Sequence, residues 1–227
     1  MKLNKYLSGQ VSNVMTRTQN MKRFLLCLVL IVPFLLSAKP IAESSDEVTP
    51  LLNGQVIPDV DVTQINGKTT SLKEYLNGDK AILFFYRGGW CPFCNTQMGQ
   101  LKKIEPELKQ LGLKLIGIST DAPKDLSKSV ETMSLQYDLL SDYNSEISKA
   151  FGIAFFTDAK TTQRYVKRLN LTNPLKRNKA GEPRLVLPVP AIYVIDEQGL
   201  VQFNYVNPNF KVRLHEEVLL KVAEVYK

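Results

Sequence analysis

One continuous apolar run constrains the fold most strongly, because it leads directly into two closely spaced cysteines. Residues 81–86 read Ala-Ile-Leu-Phe-Phe-Tyr, and an uninterrupted run of this length predicts a central strand that is buried on both faces. Apolar side chains then recur at helical spacing until Gly112 ends the pattern. The sequence therefore predicts a buried strand followed by a helix over 92–111, with Cys91 and Cys94 where the two elements meet.

Strand and helix patterns alternate along much of the remaining chain. The predicted elements are strands at 113–118, 139–140, 191–195 and 200–205, helices at 123–133 and 145–151, and a C-terminal helix containing Val212, Val218, Leu219, Val222 and Val225. Such an alternation implies a parallel sheet with right-handed crossovers. We therefore expect an α/β fold in which helices flank a central sheet.

Two segments depart from this alternation. Asn66-Gly67 lies between two short β patterns and predicts an N-terminal β-hairpin, since Asn-Gly supplies the positive φ angles of a tight turn. Ser71 and Glu74 have the spacing of a helix capping box. Residues 155–187 show no periodic pattern and are rich in Lys, Arg, Asn and Pro. This stretch is predicted to be an inserted surface segment before the late strands.

The N-terminal 38 residues carry most of the excess positive charge. They contain five basic residues and no acidic ones, whereas 24 basic and 22 acidic residues follow from Lys39 onward. Met21-Lys22-Arg23, the uncharged run 24–36 and Ser37-Ala38 have the order of a secretory signal. We therefore expect export to the periplasm or another extracytoplasmic compartment. An uncleaved membrane anchor over 24–38 remains the alternative, although the run is shorter than the about 20 apolar residues that span a bilayer comfortably.

The charge distribution also defines three regions and excludes one class of partner. Residues 1–38 form the extension and signal or anchor, the polar, proline-containing residues 39–50 are predicted to be a linker, and 51–227 form the folded domain. Nucleic-acid binding requires clustered Lys and Arg on a folded surface. Because this domain is nearly neutral, we do not expect a nucleic-acid partner, and we expect membrane contact only if the N-terminal segment is uncleaved.

The position of the two cysteines favours redox chemistry. Cys91 is predicted to be the N-cap of the helix, with Pro92 in the first turn, where its missing N–H leaves no unpaired group. Free N–H groups and the helix dipole at this end favour a thiolate and lower the pKa of a thiol. Cys94 lies one turn further on and could attack a mixed disulfide on Cys91. Cys91 is thus the predicted nucleophile and Cys94 the resolving thiol.

A metal site or a purely structural disulfide accounts less well for the cysteine pair. A zinc site needs about four N or S ligands, whereas the folded domain offers only His215 besides this pair, so we expect no metal. A structural disulfide would close a very short loop and would restrain little unfolded-chain entropy. Arg87 could stabilise the thiolate or could be a solvent-exposed arginine, and Trp90 could support the site or simply pack.

Four segments resemble the peroxiredoxin-like branch of the alkyl hydroperoxide reductase and thiol-specific antioxidant family, within the thioredoxin superfamily. They are IPDV at 57–60, ILFFYRGGWCPFC at 82–94, IGISTD at 116–121 and LPVPAIYVID at 187–196. The resemblance implies a thioredoxin-like fold with a central mixed sheet. It also implies that Val189-Pro190 corresponds to the cis-proline bond that thioredoxin-fold enzymes place against the cysteine pair, which makes Pro190 a candidate site residue.

The chain departs from the family pattern at the reactive positions. Peroxiredoxins carry Pro-x-x-x-Thr/Ser-x-x-Cys, and this chain has Arg87 at the proline, Cys91 at the threonine and Cys94 at the peroxidatic cysteine. Pro190 stands where peroxiredoxins use an arginine. Thioredoxins bury an aspartate where this chain has Phe85, so proton handling must involve water, Arg87 or a group in the insertion.

The first functional hypothesis is thiol–disulfide exchange in redox homeostasis, with protein thiols or disulfides as partners. The alternative is thiol-dependent reduction of hydroperoxides, in which Cys94 or Cys91 forms a sulfenic acid that the other cysteine resolves and a thioredoxin-like reductant reverses. No dissociable cofactor is implied. A third hypothesis is a domain that only binds protein or copper, although copper delivery would favour a histidine near the pair, and only His215 is available.

Overall fold

A computed structural model describes residues 39–227. The predicted signal or anchor within 1–38 lies outside the described residues. The strands are β1 Asp61–Gln64, β2 Thr69–Ser71, β3 Ala81–Tyr86, β4 Lys114–Ser119, β5 Asp138–Ser141, β6 Ala154–Phe156, β7 Lys176–Arg177, β8 Pro183–Arg184, β9 Val186–Pro188, β10 Ala191–Ile195 and β11 Val201–Val206. The helices are α1 Leu72–Leu76, α2 Pro92–Gln110, α3 Pro123–Met133, α4 Glu146–Ala150, α5 Ala159–Arg168 and α6 Glu216–Val225.

A mixed sheet of seven strands organises the domain, in the order β11-β10-β3-β4-β5-β1-β2. The three central strands β3, β4 and β5 are parallel, and the α2 and α3 segments connect them. β10 and β11 pair antiparallel at one edge, and β1 and β2 at the other. The predicted α/β class and central mixed sheet are therefore confirmed. The parallel pairing that the strand–helix alternation predicts occurs only among β3, β4 and β5, which are joined through helices.

Strand β3 separates two apolar cores. Leu83 and Phe85 lie in the cluster on one face, and Ile82, Phe84 and Tyr86 lie in the cluster on the other. All six residues of β3 are buried, as its continuous apolar run predicts. The second cluster also contains both cysteines and the inner face of α2. Packing of α2 on the sheet therefore fixes the cysteine pair at the carboxyl end of the central strand.

The N-terminal hairpin forms as predicted, but residues 39–50 are more than a linker. β1 pairs with β2 across the Asn66-Gly67 turn, and the Ser71 side chain accepts a hydrogen bond from the Glu74 N–H at the start of α1. Upstream, Thr49 N–H donates to the Gly152 carbonyl, and Ala42 forms a β-bridge with Phe155. These backbone bonds attach residues 42–49 to the domain.

The segment 155–187 contains regular structure that the sequence pattern did not predict. Helix α5 begins after Asp158, whose side chain accepts from Thr161 N–H at 2.8 Å, and the short pairs β6–β9 and β7–β8 complete the segment. Thr162 is the one buried residue of α5. Lys, Arg, Thr and Gln make up seven of the ten residues of α5, so its few apolar side chains give only a weak signal of an amphipathic helix in the sequence.

The C-terminal helix is shorter than predicted. α6 begins at Glu216, with His215 as its N-cap, so Val212 lies in the preceding loop, where its N–H donates to the Asn209 carbonyl. Leu219 and Ala223 are the buried residues of α6 and join the cluster that contains α2. Within residues 39–227, no helix has both the length and the hydropathy needed to cross a bilayer.

Candidate active site

The cysteine pair lies where β3 gives way to α2. Cys91 is the N-cap, with extended backbone angles, and Pro92 is the first helical residue, because proline fits a position whose N–H needs no partner. The Cys91 carbonyl accepts from the N–H groups of Cys94 and Asn95 at 3.0 and 3.1 Å. Both cysteines are free thiols. The structure thus confirms the predicted helix start and brings the two sulfurs to one end of the helix.

The pKa values of the two thiols are shifted in opposite directions. The pKa of Cys91 is lowered, first by the hydrogen bond from the Cys94 thiol and further by the Cys94 N–H and the charges of Arg87 and Arg213, although burial opposes the shift. The pKa of Cys94 is raised, because its thiol donates to Cys91 and because it is buried. Cys91 is 2% exposed and Cys94 0%. Both residues are buried, and the directions of the two pKa shifts favour Cys91 as the thiolate and Cys94 as the thiol that donates to it.

Arg87 is buried beside the pair within aromatic rings. Its side chain is 4% exposed, and its guanidinium carbon lies 5.1 Å from the Trp90 ring, 5.2 Å from the Tyr165 ring and 4.2 Å from the Phe210 ring. It donates a hydrogen bond to the Tyr165 hydroxyl. In the described part of the chain no carboxylate pairs with it. The alternative of a solvent-exposed arginine is therefore wrong, and its charge acts on the Cys91 sulfur instead.

An open, largely apolar groove lies beside Cys91. Its volume is about 210 Å³, and it is lined by Arg87, Trp90, Cys91, Pro92, Phe93, Tyr165, Leu169 and Phe210. Phe93 and Phe210 meet edge to face at 5.7 Å, and Trp90 and Tyr165 lie 5.0 Å apart. The groove therefore has aromatic walls, one buried cation and one thiolate at its end. Trp90, which the sequence indicated as a supporting or packing residue, forms part of these walls.

The loop before Cys91 is held by a buried carboxylate. Asp121 accepts from the Gly89 N–H at 2.7 Å and from the Ser119 hydroxyl at 3.1 Å. Burial raises the pKa of Asp121 to about 6, while these hydrogen bonds lower it. Gly88 has φ of 150°, and a Cβ there would lie 2.3 Å from Trp90 Nε1. Glycine is therefore required at this turn, which sets the orientation of the Trp90 side chain.

Three groups at the site come from distant segments and were not predicted individually. Tyr165 comes from α5 and Phe210 from the loop between β11 and α6. Arg213, from the same loop, donates to Cys94 Sγ at 3.4 Å and to Gln97 Oε1 at 3.2 Å. Only the expectation that a group in the insertion contributes to the site pointed toward Tyr165. Local sequence carries no signal for Arg213, because packing of α6 against α2 brings it to Cys94.

The prediction for Pro190 is wrong in one respect. No peptide bond among residues 39–227 is cis, so the Val189–Pro190 bond is trans and carries the chain from β9 directly into β10. The Val189 N–H donates to the Ile153 carbonyl, and the Pro190 carbonyl accepts from Asn207 N–H. These strand-like bonds favour extended backbone on both sides of the bond. Pro190 is buried and does not line the groove.

His215, the only histidine of the chain, lies at the start of the C-terminal helix. The His215 side chain is exposed, and its Nδ1 accepts from the Glu217 N–H at the start of α6. It is the N-cap of the C-terminal helix and lies at the surface. Throughout residues 39–227, no three His, Cys, Asp or Glu side chains converge as a metal site would require.

A mixed sheet with a CxxC pair at the start of the helix after its central strand defines a thioredoxin-fold dithiol protein. The sequence pattern of the AhpC/TSA family matches residues 53–204. The chain therefore belongs to the AhpC/TSA family, which confirms the resemblance drawn from the sequence.

Individual relatives and structures agree with this assignment. A 104-residue stretch is 36% identical to the putative peroxiredoxin bcp of Haemophilus influenzae and 32% identical to peroxiredoxin Bcp of Escherichia coli, covering 46% of this chain and 66% of each relative. The fold matches peroxidoxin BcpB from Mycobacterium tuberculosis with a TM-score of 0.58 and 20% identity, over 77% of this chain and 97% of that one. It matches reduced Prx3 from Vibrio vulnificus, solved with H₂O₂, with a TM-score of 0.61 and 16% identity, over 76% and 99% of the two chains.

Replacing Arg87 should make the Cys91 thiol less acidic. In Arg87→Gln we expect the pKa of Cys91 to rise by about one unit, equivalent to about 1.4 kcal/mol, because a buried cation near the sulfur is lost. The midpoint of alkylation against pH, followed by mass spectrometry of the Cys91 peptide, should shift to higher pH.

Arg164→Gln is the matched control, because Arg164 also stacks on the Tyr165 ring, at 5.0 Å, but is not among the charges that act on Cys91. It should leave the midpoint unchanged. Equal midpoints for Arg87→Gln and the unaltered protein would show that Arg87 does not stabilise the thiolate.

Proposed function

We propose that this protein is a thiol-dependent peroxidase that reduces hydroperoxides, with Cys91 as the attacking thiolate and Cys94 as the resolving thiol. Membership of the AhpC/TSA family supports this activity, as do the names of its peroxiredoxin relatives. The directions of the two thiol pKa shifts support this assignment of roles over the one that the peroxiredoxin sequence pattern gives, in which Cys94 takes the peroxidatic position.

The observation that carries the proposal is the placement of Cys91 in the groove. Its sulfur is stabilised as a thiolate, yet the residue is 2% exposed and reached through a volume of about 210 Å³. The groove is open to solvent, and a hydroperoxide can present its O–O bond to the Cys91 sulfur in a space of this size. Together with membership of the AhpC/TSA family, this placement favours peroxide reduction over disulfide exchange with proteins, the first hypothesis from the sequence.

The first step would oxidise Cys91. Its thiolate attacks the distal oxygen of ROOH, an S–O bond forms, the O–O bond breaks, and RO⁻ leaves and takes a proton from water to become ROH. Negative charge grows on the leaving oxygen during this step. The Arg87 guanidinium lines the groove and has no carboxylate partner among the described residues. It can therefore stabilise that charge in a site of low dielectric.

The second step would form the internal disulfide. Cys94 attacks the sulfur of the Cys91 sulfenic acid, the S–S bond forms, the S–O bond breaks, and water leaves. An external dithiol of the thioredoxin-like class then reduces the disulfide to two thiols and is itself oxidised.

We also propose that the enzyme acts outside the cytoplasm, as the order of charged, apolar and small residues at 21–38 suggests. Fusing residues 1–38 to a phosphatase that becomes active only after disulfide formation outside the cytoplasm should give active reporter. A fusion that begins at Lys39 is the control and should be inactive. Inactivity of both fusions would contradict export.

Single cysteine variants should separate the two roles. Cys94→Ser should still react with hydroperoxide and should stop at a Cys91 sulfenic acid that dimedone traps, because the attacking thiolate remains. Cys91→Ser should react at least roughly tenfold more slowly, because Cys94 is the buried, less acidic thiol. Stoichiometric mixing followed by mass spectrometry of each cysteine peptide measures both outcomes. A dimedone adduct on Cys94, formed rapidly in Cys91→Ser, would reverse the assignment.

A further inference from the structure

We propose that Arg213 is a catalytic residue for the second half of the reaction, in which it holds Cys94 as a thiolate while Cys94 attacks the oxidised Cys91. This inference deepens the proposed peroxidase function and rests on it. It assigns one guanidinium to each sulfur, with Arg87 serving Cys91 and Arg213 serving Cys94.

The geometry of Arg213 points to the Cys94 sulfur. Its Nη2 donates to Cys94 Sγ at 3.4 Å, and its Nη1 donates to the buried Gln97 side chain at 3.2 Å. Its Nε is buried and has no hydrogen-bond partner. Within residues 39–227 no carboxylate forms an ion pair with Arg213. A half-buried cation without a carboxylate partner favours a nearby anion, and the Cys94 sulfur is the group in contact that can become one.

The fold holds Arg213 in this position from both sides. The preceding loop is fixed by the N–H groups of Asn209 and Lys211, which donate to the side chains of Asn207 and Asn209, and by the Phe210 ring against Phe93. The following helix α6 packs its buried residues into the cluster that contains Cys94. Arg213 is not among the residues that line the groove, whereas it contacts the Cys94 sulfur directly.

The charge at the site changes during the cycle, and this change gives Arg213 its role. While Cys91 is a thiolate, Cys94 stays protonated, because its thiol donates to Cys91 and a second adjacent negative charge would be repelled. Once Cys91 is a neutral sulfenic acid, that repulsion and that strong acceptor are gone. The Arg213 guanidinium is still 3.4 Å from Cys94 Sγ and favours release of its proton. The thiolate then attacks Cys91, and the displaced hydroxide takes a proton to leave as water.

Stopped-flow fluorescence can separate the two steps, because Trp90 is the only tryptophan and is adjacent to Cys91. Reduced protein is mixed with excess hydrogen peroxide. Sulfenic acid formation gives a phase whose rate depends on peroxide concentration, and disulfide formation gives a phase whose rate does not.

In Arg213→Gln we expect the concentration-independent phase to slow about tenfold, as a rise of one unit in the pKa of Cys94 would produce. The concentration-dependent phase should change by less than about threefold, because Arg213 is the smallest of the influences on Cys91. With excess peroxide the variant should also accumulate more Cys91 sulfinic acid, since slow resolution leaves the sulfenic acid open to further oxidation.

Two further variants provide the controls. Arg213→Lys keeps a cation and should recover part of the lost rate, which a purely structural role would not predict. Lys211→Gln removes an exposed cation from the same loop and should leave both phases unchanged.

Two results would overturn the inference. If Arg213→Gln slows the concentration-dependent phase and leaves the second phase unchanged, Arg213 acts on peroxide attack instead. If neither phase changes, Arg213 has no part in the reaction. Failure of the proposed function itself would be recognised separately, because the unaltered protein would then lack a rapid peroxide-dependent phase.

Discussion

Burial of β3 on both faces of the sheet is the constraint on which the site depends. Its hydrogen bonds to β10 on one side and β4 on the other fix its carboxyl end. Pro92 then starts a helix of 19 residues directly after Cys91. Helix α2 is anchored in turn by buried residues such as Met98 and by the Tyr137 hydroxyl, which donates to the Met98 carbonyl at 3.1 Å. The cysteine pair therefore lies between two elements that cannot shift independently.

A thiolate in so enclosed a place requires compensating charge and hydrogen bonds. The Cys94 thiol donates a hydrogen bond to the Cys91 sulfur, and Arg87 and Arg213 add positive charge. The guanidinium groups are themselves costly to bury without carboxylate partners. The aromatic rings around Arg87 offset part of that cost through cation–π contacts, and the thiolate offsets more. Each charge at the site thus depends on the others, and this mutual dependence couples the acidity of the sulfurs to the fold around them.

The parts of the site that the sequence predicts are those encoded in one continuous segment. The β3–α2 junction could be predicted because the apolar run, Cys91 and Pro92 are adjacent in sequence. The apolar run favours a buried strand, and Pro92 favours the first turn of a helix. Arg213 and Phe210 could not, since their loop has no local pattern and its place is set by the packing of α6 on α2. Tyr165 could not be predicted because α5 is so rich in polar residues that its helical pattern is weak. The cis bond at Pro190 was inferred from resemblance alone, and the structure has that bond trans.

The most direct test of the central claim is the rate at which the reduced domain, Lys39 to Lys227, is oxidised by hydrogen peroxide and, separately, by a disulfide in a folded protein, followed through Trp90 fluorescence. A stabilised thiolate that shares an open groove with the Arg87 guanidinium predicts oxidation by peroxide many orders of magnitude faster than that of free cysteine, together with slower exchange with the folded-protein disulfide. Rapid disulfide exchange, with peroxide oxidation no faster than that of free cysteine, would contradict the peroxidase assignment and would support a thioredoxin-like oxidoreductase.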